Sequence, residues 1–134
     1  MHDCIFCKIV NREAKSWPIA ESETAYAFLD IHPVSRYHTL VIPKTHYTNI
    51  FDIPEEDLKG VMTLLRKVCK LYEEKLGIKN IRIINNNGRE AQQEVFHLHF
   101  HIIPRQLGDG LHTKWTSHPE WCGAFDDMIE KIRS

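Results

Sequence analysis

The segment HLHFHIIP, residues 97–104, places histidine at three alternate positions with apolar residues between them. Side chains alternate between the two faces of a β-strand, so His97, His99 and His101 are predicted to share one face. The opposite face is predicted to be apolar and to belong to the core; it carries Phe96, Leu98, Phe100 and Ile102. A histidine face opposite such a core is either exposed to solvent or the floor of a functional site. The strict alternation favours the site.

A single zinc ion bound by all three histidines is disfavoured by distance. With a rise of about 3.3 Å per residue, His97 and His101 lie about 13 Å apart along a regular strand. Zinc holds imidazole nitrogens at only about 2.0–2.1 Å. The three histidines are therefore expected to divide between different tasks.

The rest of the chain alternates predicted strands with two predicted helices. Apolar residues at 3- and 4-residue steps predict a long helix over residues 54–76, with Pro54 in its first turn and Gly77 at its end. A shorter helix is predicted after Pro119, and its inward face carries Trp121, Phe125, Met128, Ile129 and Ile132. Strands are predicted over residues 25–30, 38–43, 81–85 and 95–103. This order predicts a single α+β domain, residues 1–134, built on a mostly antiparallel sheet.

Composition excludes several classes of function. The 134 residues include 17 basic and 18 acidic side chains, a balance that argues against an extended nucleic-acid interface. No apolar run approaches the roughly 18–20 residues of a membrane span, and the N-terminus does not resemble a signal peptide. We therefore expect a cytoplasmic protein with neither nucleic-acid nor membrane partners.

Cys4 and Cys7 form a C-x-x-C pair close to the N-terminus. Three interpretations are open: a redox pair, two unrelated buried thiols, or half of a zinc site that needs two more ligands. The redox interpretation lacks the preceding strand of a βαβ unit. Cys69 and Cys122 have no partner at a metal-binding spacing, and both are interpreted as packing residues.

Four segments together resemble the histidine triad (HIT) family. HLHFHI matches the family's pattern of three histidines alternating with apolar residues. FLDIHPVSRYHTLVIPKTH (28–46), NNNGREAQQEVF (85–96) and CIFCKIV (4–10) are similar to family segments in the same order. The resemblance implies a HIT-like fold with a five-stranded, mostly antiparallel sheet, one long helix and a C-terminal helix. By analogy with many members it also implies a homodimer.

The resemblance implies a nucleotide hydrolase or transferase that acts at an α-phosphate. The middle histidine, His99, would be the nucleophile and form a covalent nucleotidyl-histidine, without a catalytic cofactor. His101 would stabilise charge on the phosphate or protonate the leaving group, and His38 would support the triad. The substrate is expected to be a purine nucleoside phosphoramidate or a dinucleoside polyphosphate. It would be bound by Asp30 at the ribose, Asn86 and Gln93 at the phosphate, and Phe6, Phe28 and Ile31 around the base.

Some microbial members with the cysteine pair complete a zinc site with two histidines. By this resemblance Cys4, Cys7, His46 and His97 would hold a structural zinc ion. A closed Cys₂His₂ shell fastens the chain and activates no water. Such a site would remove His97 from the chemistry and leave His99 and His101 for it.

Two positions depart from the pattern of the family. Gln92 stands where many members have glycine, and Glu94 stands where better-studied branches have serine or threonine near the leaving group. A carboxylate repels phosphate, so Glu94 bears on the choice of leaving group. Two other functions compete with the HIT-type enzyme: a zinc-stabilised nucleotide- or partner-binding module with little catalysis, and a hydrolase with a catalytic zinc on the strand.

Overall fold

A computed structural model describes residues 3–112 and 114–134. Its elements in chain order are α1 (Ile5–Val10), β1 (Pro18–Glu21), β2 (Ala25–Leu29), β3 (Thr39–Pro43), α2 (Glu55–Leu76), β4 (Ile81–Ile84), β5 (Phe100–Pro104) and α3 (Phe125–Arg133). Short 3-10 turns occupy Arg89–Ala91 and Pro119–Ala124. The predicted α+β class is confirmed.

The five strands form one antiparallel sheet in the order β1-β2-β3-β5-β4. The sequence prediction lacked β1, whose four residues PIAE carry no apolar alternation that marks a strand. The other strands lie where they were expected, with one large exception: β5 begins at Phe100 and not at residue 95.

The predicted long helix α2 is confirmed, and the residues at its two ends explain where it begins and ends. Pro54 occupies the N-cap, followed by the acidic residues Glu55, Glu56 and Asp57. These carboxylates favour the positive end of the helix dipole. Gly77 ends the helix in the left-handed conformation, with φ of 68°, which glycine adopts at little cost.

Both faces of the sheet are covered. On one face α2 packs against β2, β3 and β5, and the buried cluster there is Ala25, Ala27, Val41, Val61, Leu64, Leu65, Val68, Tyr72 and Ile102. On the other face α1 covers a second cluster of Phe6, Ile9, Tyr26, Phe28, Leu40 and Ile42. His101 pairs with Leu40 across β5 and β3, so its side chain lies on the α1 face.

The segment before β5 corrects the predicted alternation. The Leu98 amide donates to the Tyr47 carbonyl at 2.7 Å, so this part of the chain is held by the connection after β3 and not by the sheet. Leu98 is buried, but Phe96, predicted in the core, is 42% exposed. His97 and His99 are buried instead, so these two histidines do not face solvent.

The C-terminal helix α3 exists, but its predicted inward face is wrong. Side chains of that face are 42–78% exposed: Trp121, Phe125, Met128, Ile129 and Ile132. Periodicity determines which residues share a helix face, but not whether another element covers that face. Among the helices that the structure describes, none is long and apolar enough to cross a membrane.

Candidate active site and metal cluster

A hydrogen bond to the backbone defines the protonation state of His99. Its Nδ1 lies 2.8 Å from the carbonyl oxygen of His97. A carbonyl oxygen only accepts, so Nδ1 carries the proton and donates it. The lone pair is therefore on Nε2. Burial lowers the pKa of His99 below its usual 6.5, so the imidazole is neutral at pH 7 and can act as a nucleophile.

His38 and His101 form a hydrogen-bonded pair with a defined direction. The Val34 amide donates to His38 Nδ1 at 3.0 Å, so the proton of His38 is on Nε2. His38 Nε2 then donates to His101 Nδ1 at 2.9 Å. This leaves the proton of His101 on Nε2, where it can be donated to a ligand. Burial lowers the pKa of His101 to about 4, with further lowering from His99 and His38.

The Asp30 carboxylate lies beside this pair. Its Oδ2 is 3.4 Å from His38 Nε2 and 3.9 Å from His101 Nδ1, while Oδ1 accepts from the His32 amide at 2.8 Å. Three ligand-type atoms therefore lie within 4.8 Å of one another. A metal here would need the His38 Nε2 lone pair, but the Val34 amide places the proton on that atom. The directions of the hydrogen bonds thus indicate that Asp30, His38 and His101 form a polar network and not a metal site.

A second cluster brings together the four predicted zinc ligands. Cys4 Sγ is 3.3 Å from His97 Nδ1, and Cys7 Sγ is 3.4 Å from His46 Nδ1 and 3.6 Å from His97 Nδ1. With bonds of about 2.3 Å to sulfur and 2.0 Å to nitrogen, neighbouring ligands around tetrahedral zinc are about 3.5 Å apart. The cluster therefore has the dimensions of a zinc site, and its four ligand atoms all lie within 4.8 Å of one another.

The protonation states of the cluster also suit a cation. His97 Nε2 donates to the Pro43 carbonyl at 2.8 Å, which leaves the Nδ1 lone pair for the metal. Burial lowers the pKa of His97 to about 4, so the imidazole is neutral. Burial and the neighbouring Cys4 raise the pKa of the Cys7 thiol to about 11. A bound cation would shift that thiol towards the thiolate that zinc prefers.

Helix α1 connects the metal cluster to His99. Cys4 is the N-cap of α1, and its Sγ accepts from the Cys7 amide at 3.4 Å. Phe6, between the two cysteines, packs edge-on against His97, His99 and Phe28 with ring centroids 5.7, 5.2 and 5.6 Å apart. Fixing the two sulfurs therefore also fixes an aromatic wall beside His99.

A cavity of about 910 Å³ opens on the α1 face of the sheet. It brings together the predicted catalytic and substrate-binding residues, His38, His99, His101, Asp30, Asn86, Gln93, Phe6, Phe28 and Ile31. Phe6 and Phe28 are buried in its wall, whereas Ile31 is 67% exposed at its edge. The volume is that of a small-molecule site.

Gln93 lines the cavity, and its amide also fastens the surrounding loops. Its Nε2 donates to the carbonyls of Thr48 at 2.7 Å and Val95 at 3.1 Å. Its Oε1 accepts from the Gly88 amide at 2.8 Å and from Asn49 Nδ2 at 3.3 Å. A phosphate contact by Gln93 would compete with these bonds, so the predicted phosphate role stays a prediction.

Asn85 and Asn87 support the backbone around His99, and neither residue was singled out from the sequence. Asn85 Nδ2 donates to the His99 carbonyl at 3.0 Å, and Asn87 Oδ1 accepts from the Ile50 amide at 2.8 Å. Asn87 also donates to Asn85, which links the two contacts. The run NNNG directly after a predicted strand was the available signal, because asparagine side chains readily hydrogen-bond to nearby backbone groups.

Gln92 adopts a backbone conformation that favours glycine, the residue that many members of the HIT family have at this position. Its φ of 70° and ψ of 28° lie in the left-handed region. A residue with a Cβ pays about 1–2 kcal/mol there, whereas glycine does not. The departure from glycine therefore places a strained residue in the loop, and this residue also lines the cavity.

Comparison with known proteins places the chain in a well-populated group. The HIT domain model matches residues 11–108. The adenosine 5'-monophosphoramidase of Schizosaccharomyces pombe is 42% identical over 117 residues, which cover 87% of this chain and 85% of that protein.

Solved structures show the same relationship. A HIT family protein from Bacillus anthracis has a TM-score of 0.89 at 34% identity, covering 98% of this chain and 95% of that one. A zinc-bound histidine triad family protein from Mycobacterium smegmatis has a TM-score of 0.78 at 34% identity, covering 97% and 98%.

Proposed function

Because this chain belongs to the HIT domain family, we propose that it is a nucleotide hydrolase that uses His99 to cleave purine nucleoside phosphoramidates at the α-phosphate. The main support is the hydrogen bond that His99 Nδ1–H donates to the His97 carbonyl, because it leaves the lone pair on Nε2 free to attack phosphorus. The similarity to the adenosine 5'-monophosphoramidase of Schizosaccharomyces pombe supports nucleotide hydrolysis at the level of the family. Dinucleoside polyphosphates are the alternative substrate class.

The proposed reaction has two displacements at phosphorus. His99 Nε2 forms a bond to the α-phosphorus while the bond from phosphorus to the leaving nitrogen breaks. The nitrogen keeps the electron pair and takes a proton from solvent, so it leaves as an amine. Water then attacks the nucleotidyl-histidine, which releases the nucleoside monophosphate and returns the lone pair to Nε2. One water is consumed overall.

The neighbouring residues are assigned to binding and charge stabilisation. His101 Nε2–H would donate to a phosphate oxygen, and His38 maintains that direction through its bond to His101 Nδ1. Asp30 would accept the ribose hydroxyls, and Asn86 would bind the phosphate. Phe6, Phe28 and Ile31 would enclose the base, since all three line the same cavity.

A zinc ion held by Cys4, Cys7, His46 and His97 would have a structural role. Four protein ligands leave no open position for water, so the ion would stabilise the fold and supply no nucleophile. Its effect on the reaction would pass through Phe6 and the His97 carbonyl, which both contact His99.

The decisive experiment traps the intermediate. Wild-type protein mixed with an adenosine phosphoramidate and quenched in base should carry adenylate on His99, identified by peptide mass spectrometry. His99→Ala should lose both the adduct and turnover, while the control His112→Ala, an exposed histidine outside the cavity, should keep both. Turnover by His99→Ala would refute the proposal. If brief chelation abolished turnover, and added metal ions of different kinds restored it at different rates, a catalytic metal ion would be favoured instead.

Assembly and location are also proposed. A homodimer is expected by family analogy, and a monomer mass in light scattering at micromolar concentration would contradict it. A cytoplasmic location suits the four cysteines, none of which is in a disulfide.

A further inference from the structure

A shallow groove gives solvent access to one part of the metal cluster. The groove has a volume of about 730 Å³, and its described lining residues include Cys4 and His46 but neither Cys7 nor His97. Cys4 is partly exposed, whereas His97 is fully buried. A small molecule that enters the groove therefore meets Cys4 before it meets the other cysteine.

The two cysteine sulfurs are close enough to react with each other. They lie within 4.8 Å of one another, and Cys4 Sγ accepts from the Cys7 amide at 3.4 Å. Cys4 is the N-cap of α1, so the first turn of this helix carries both side chains. A disulfide holds two sulfurs about 2.05 Å apart. Closing the remaining gap therefore requires a shift of this first turn.

A redox role for the pair was open from the sequence, although a thioredoxin-like catalyst needs a strand before the pair. Helix α1 is the first element in the described part of the chain, so no described strand precedes the pair. A redox sensor has no such requirement. It needs an accessible thiolate next to a second cysteine that resolves it. Cys4 and Cys7 meet both conditions when a zinc ion holds them as thiolates.

We propose that Cys4 and Cys7 form a reversible redox switch, in which a hydroperoxide joins them in a disulfide and the protein releases zinc. The disulfide offers no thiolate, so only His46 and His97 of the four ligands remain. Structural zinc needs four ligands, so two imidazoles do not retain it. The switch depends on the metal cluster alone, whereas its effect on turnover rests on the proposed function.

The chemistry balances with hydrogen peroxide as the oxidant. The Cys4 thiolate attacks one peroxide oxygen and the O–O bond breaks, which leaves a sulfenic acid on Cys4 and releases hydroxide. The Cys7 thiolate then attacks the Cys4 sulfur, the S–O bond breaks, and a second hydroxide leaves. The sulfurs lose two electrons, the peroxide gains them, and both hydroxides take protons from solvent to become water. A dithiol reductant reverses the oxidation by thiol–disulfide exchange.

Two contacts carry the change from the cysteine pair to His99. Phe6 lies between the cysteines on α1, and its ring centroid is 5.2 Å from that of His99. A shift of the first turn of α1 therefore moves the aromatic wall beside His99. His97 loses the ion at its Nδ1, while its carbonyl accepts from His99 Nδ1 at 2.8 Å. The disulfide thus loosens His99 through both neighbours.

The test treats zinc-loaded wild type with one equivalent of hydrogen peroxide. A zinc-binding dye should report release of the ion, and the intact mass should fall by two hydrogen atoms. Peptide mapping without reduction should find the bond between Cys4 and Cys7, and ¹⁵N spectra should show shifted ring signals for His97 and His99. The value of kcat/KM should fall about tenfold, the low end of what residues that orient a reactive group contribute. Dithiol and zinc together should reverse every change.

Cys7→Asp is the discriminating variant, because aspartate is a zinc ligand of similar size that cannot form a disulfide. It should keep its zinc through a peroxide dose that empties wild type. Cys122→Ser is the matched control: this exposed cysteine lies outside the cluster, so the variant should release zinc as wild type does. His99→Ala should also release zinc normally, although it has no turnover.

Zinc that stays bound while peroxide oxidises Cys122 would overturn the switch, and so would zinc release by Cys7→Asp at the wild-type rate. Release from wild type without a bond between Cys4 and Cys7 would do the same, whether or not Cys7→Asp folds. Unchanged His99 ring signals after disulfide formation would overturn the coupling to the cavity. Failure of the proposed function looks different, because His99→Ala would then keep its turnover while zinc release stayed the same.

Discussion

Acid should destabilise this protein in part through His101. The Nδ1 of His101 accepts a hydrogen bond from His38 Nε2–H at 2.9 Å, and the ring is largely buried. Both features oppose a proton on Nδ1, and burial lowers the pKa of His101 to about 4. In the unfolded chain the same histidine titrates near its usual value of about 6.5.

The sign and size of the effect follow from proton linkage. Between pH 6.5 and 4 the unfolded chain binds a proton at His101 that the folded chain does not, so stability falls as the pH falls. The full difference of about 2.5 pKa units corresponds to on the order of 3 kcal/mol, of which about 2 kcal/mol is lost by pH 5. Above pH 7.5 the contribution is fully retained.

Urea unfolding of wild type and His101→Gln at several pH values between 7.5 and 5 measures how much protonation of His101 lowers the free energy of unfolding. The variant lacks the group, so the stability of wild type relative to the variant should decrease by about 2 kcal/mol over that range. His112→Gln, which removes an exposed histidine, should instead follow wild type. A difference between wild type and His101→Gln that stays constant with pH would refute the reasoning.

Three further predictions concern the metal cluster, the support of His99 and the core. Cys7→Ser should lose most of its zinc by elemental analysis and unfold at a lower temperature that a chelator no longer changes, whereas Cys122→Ser should match wild type. Asn85→Ala should lower kcat more than it raises KM, because the His99 carbonyl loses a donor; the lost hydrogen bond should also cost about 1 kcal/mol in urea unfolding, and an unchanged kcat would contradict a positioning role. Leu64→Ala should cost about 3 kcal/mol in urea unfolding, since this side chain is 2% exposed beneath the sheet, and a cost below 1 kcal/mol would contradict that packing.

The sequence by itself determined the long helix, four of the five strands and a set of candidate site residues that the structure gathers around one cavity. These features depend on local chemistry: apolar spacing, Pro54 and Gly77 at the ends of α2, and histidines at alternate positions. The family resemblance also linked Cys4 and Cys7 to His46 and His97 far along the chain, and the structure brings these four side chains together.

Tertiary structure alone decided what each histidine can do. The tautomer of His99 depends on the His97 carbonyl, and that of His38 depends on the Val34 amide. Alternation in the sequence cannot specify these contacts, since it fixes the face of a side chain but not the partner of each ring nitrogen. The exposure of Phe96 and of α3 has the same origin: burial requires a second surface, and only the folded chain shows where that surface lies.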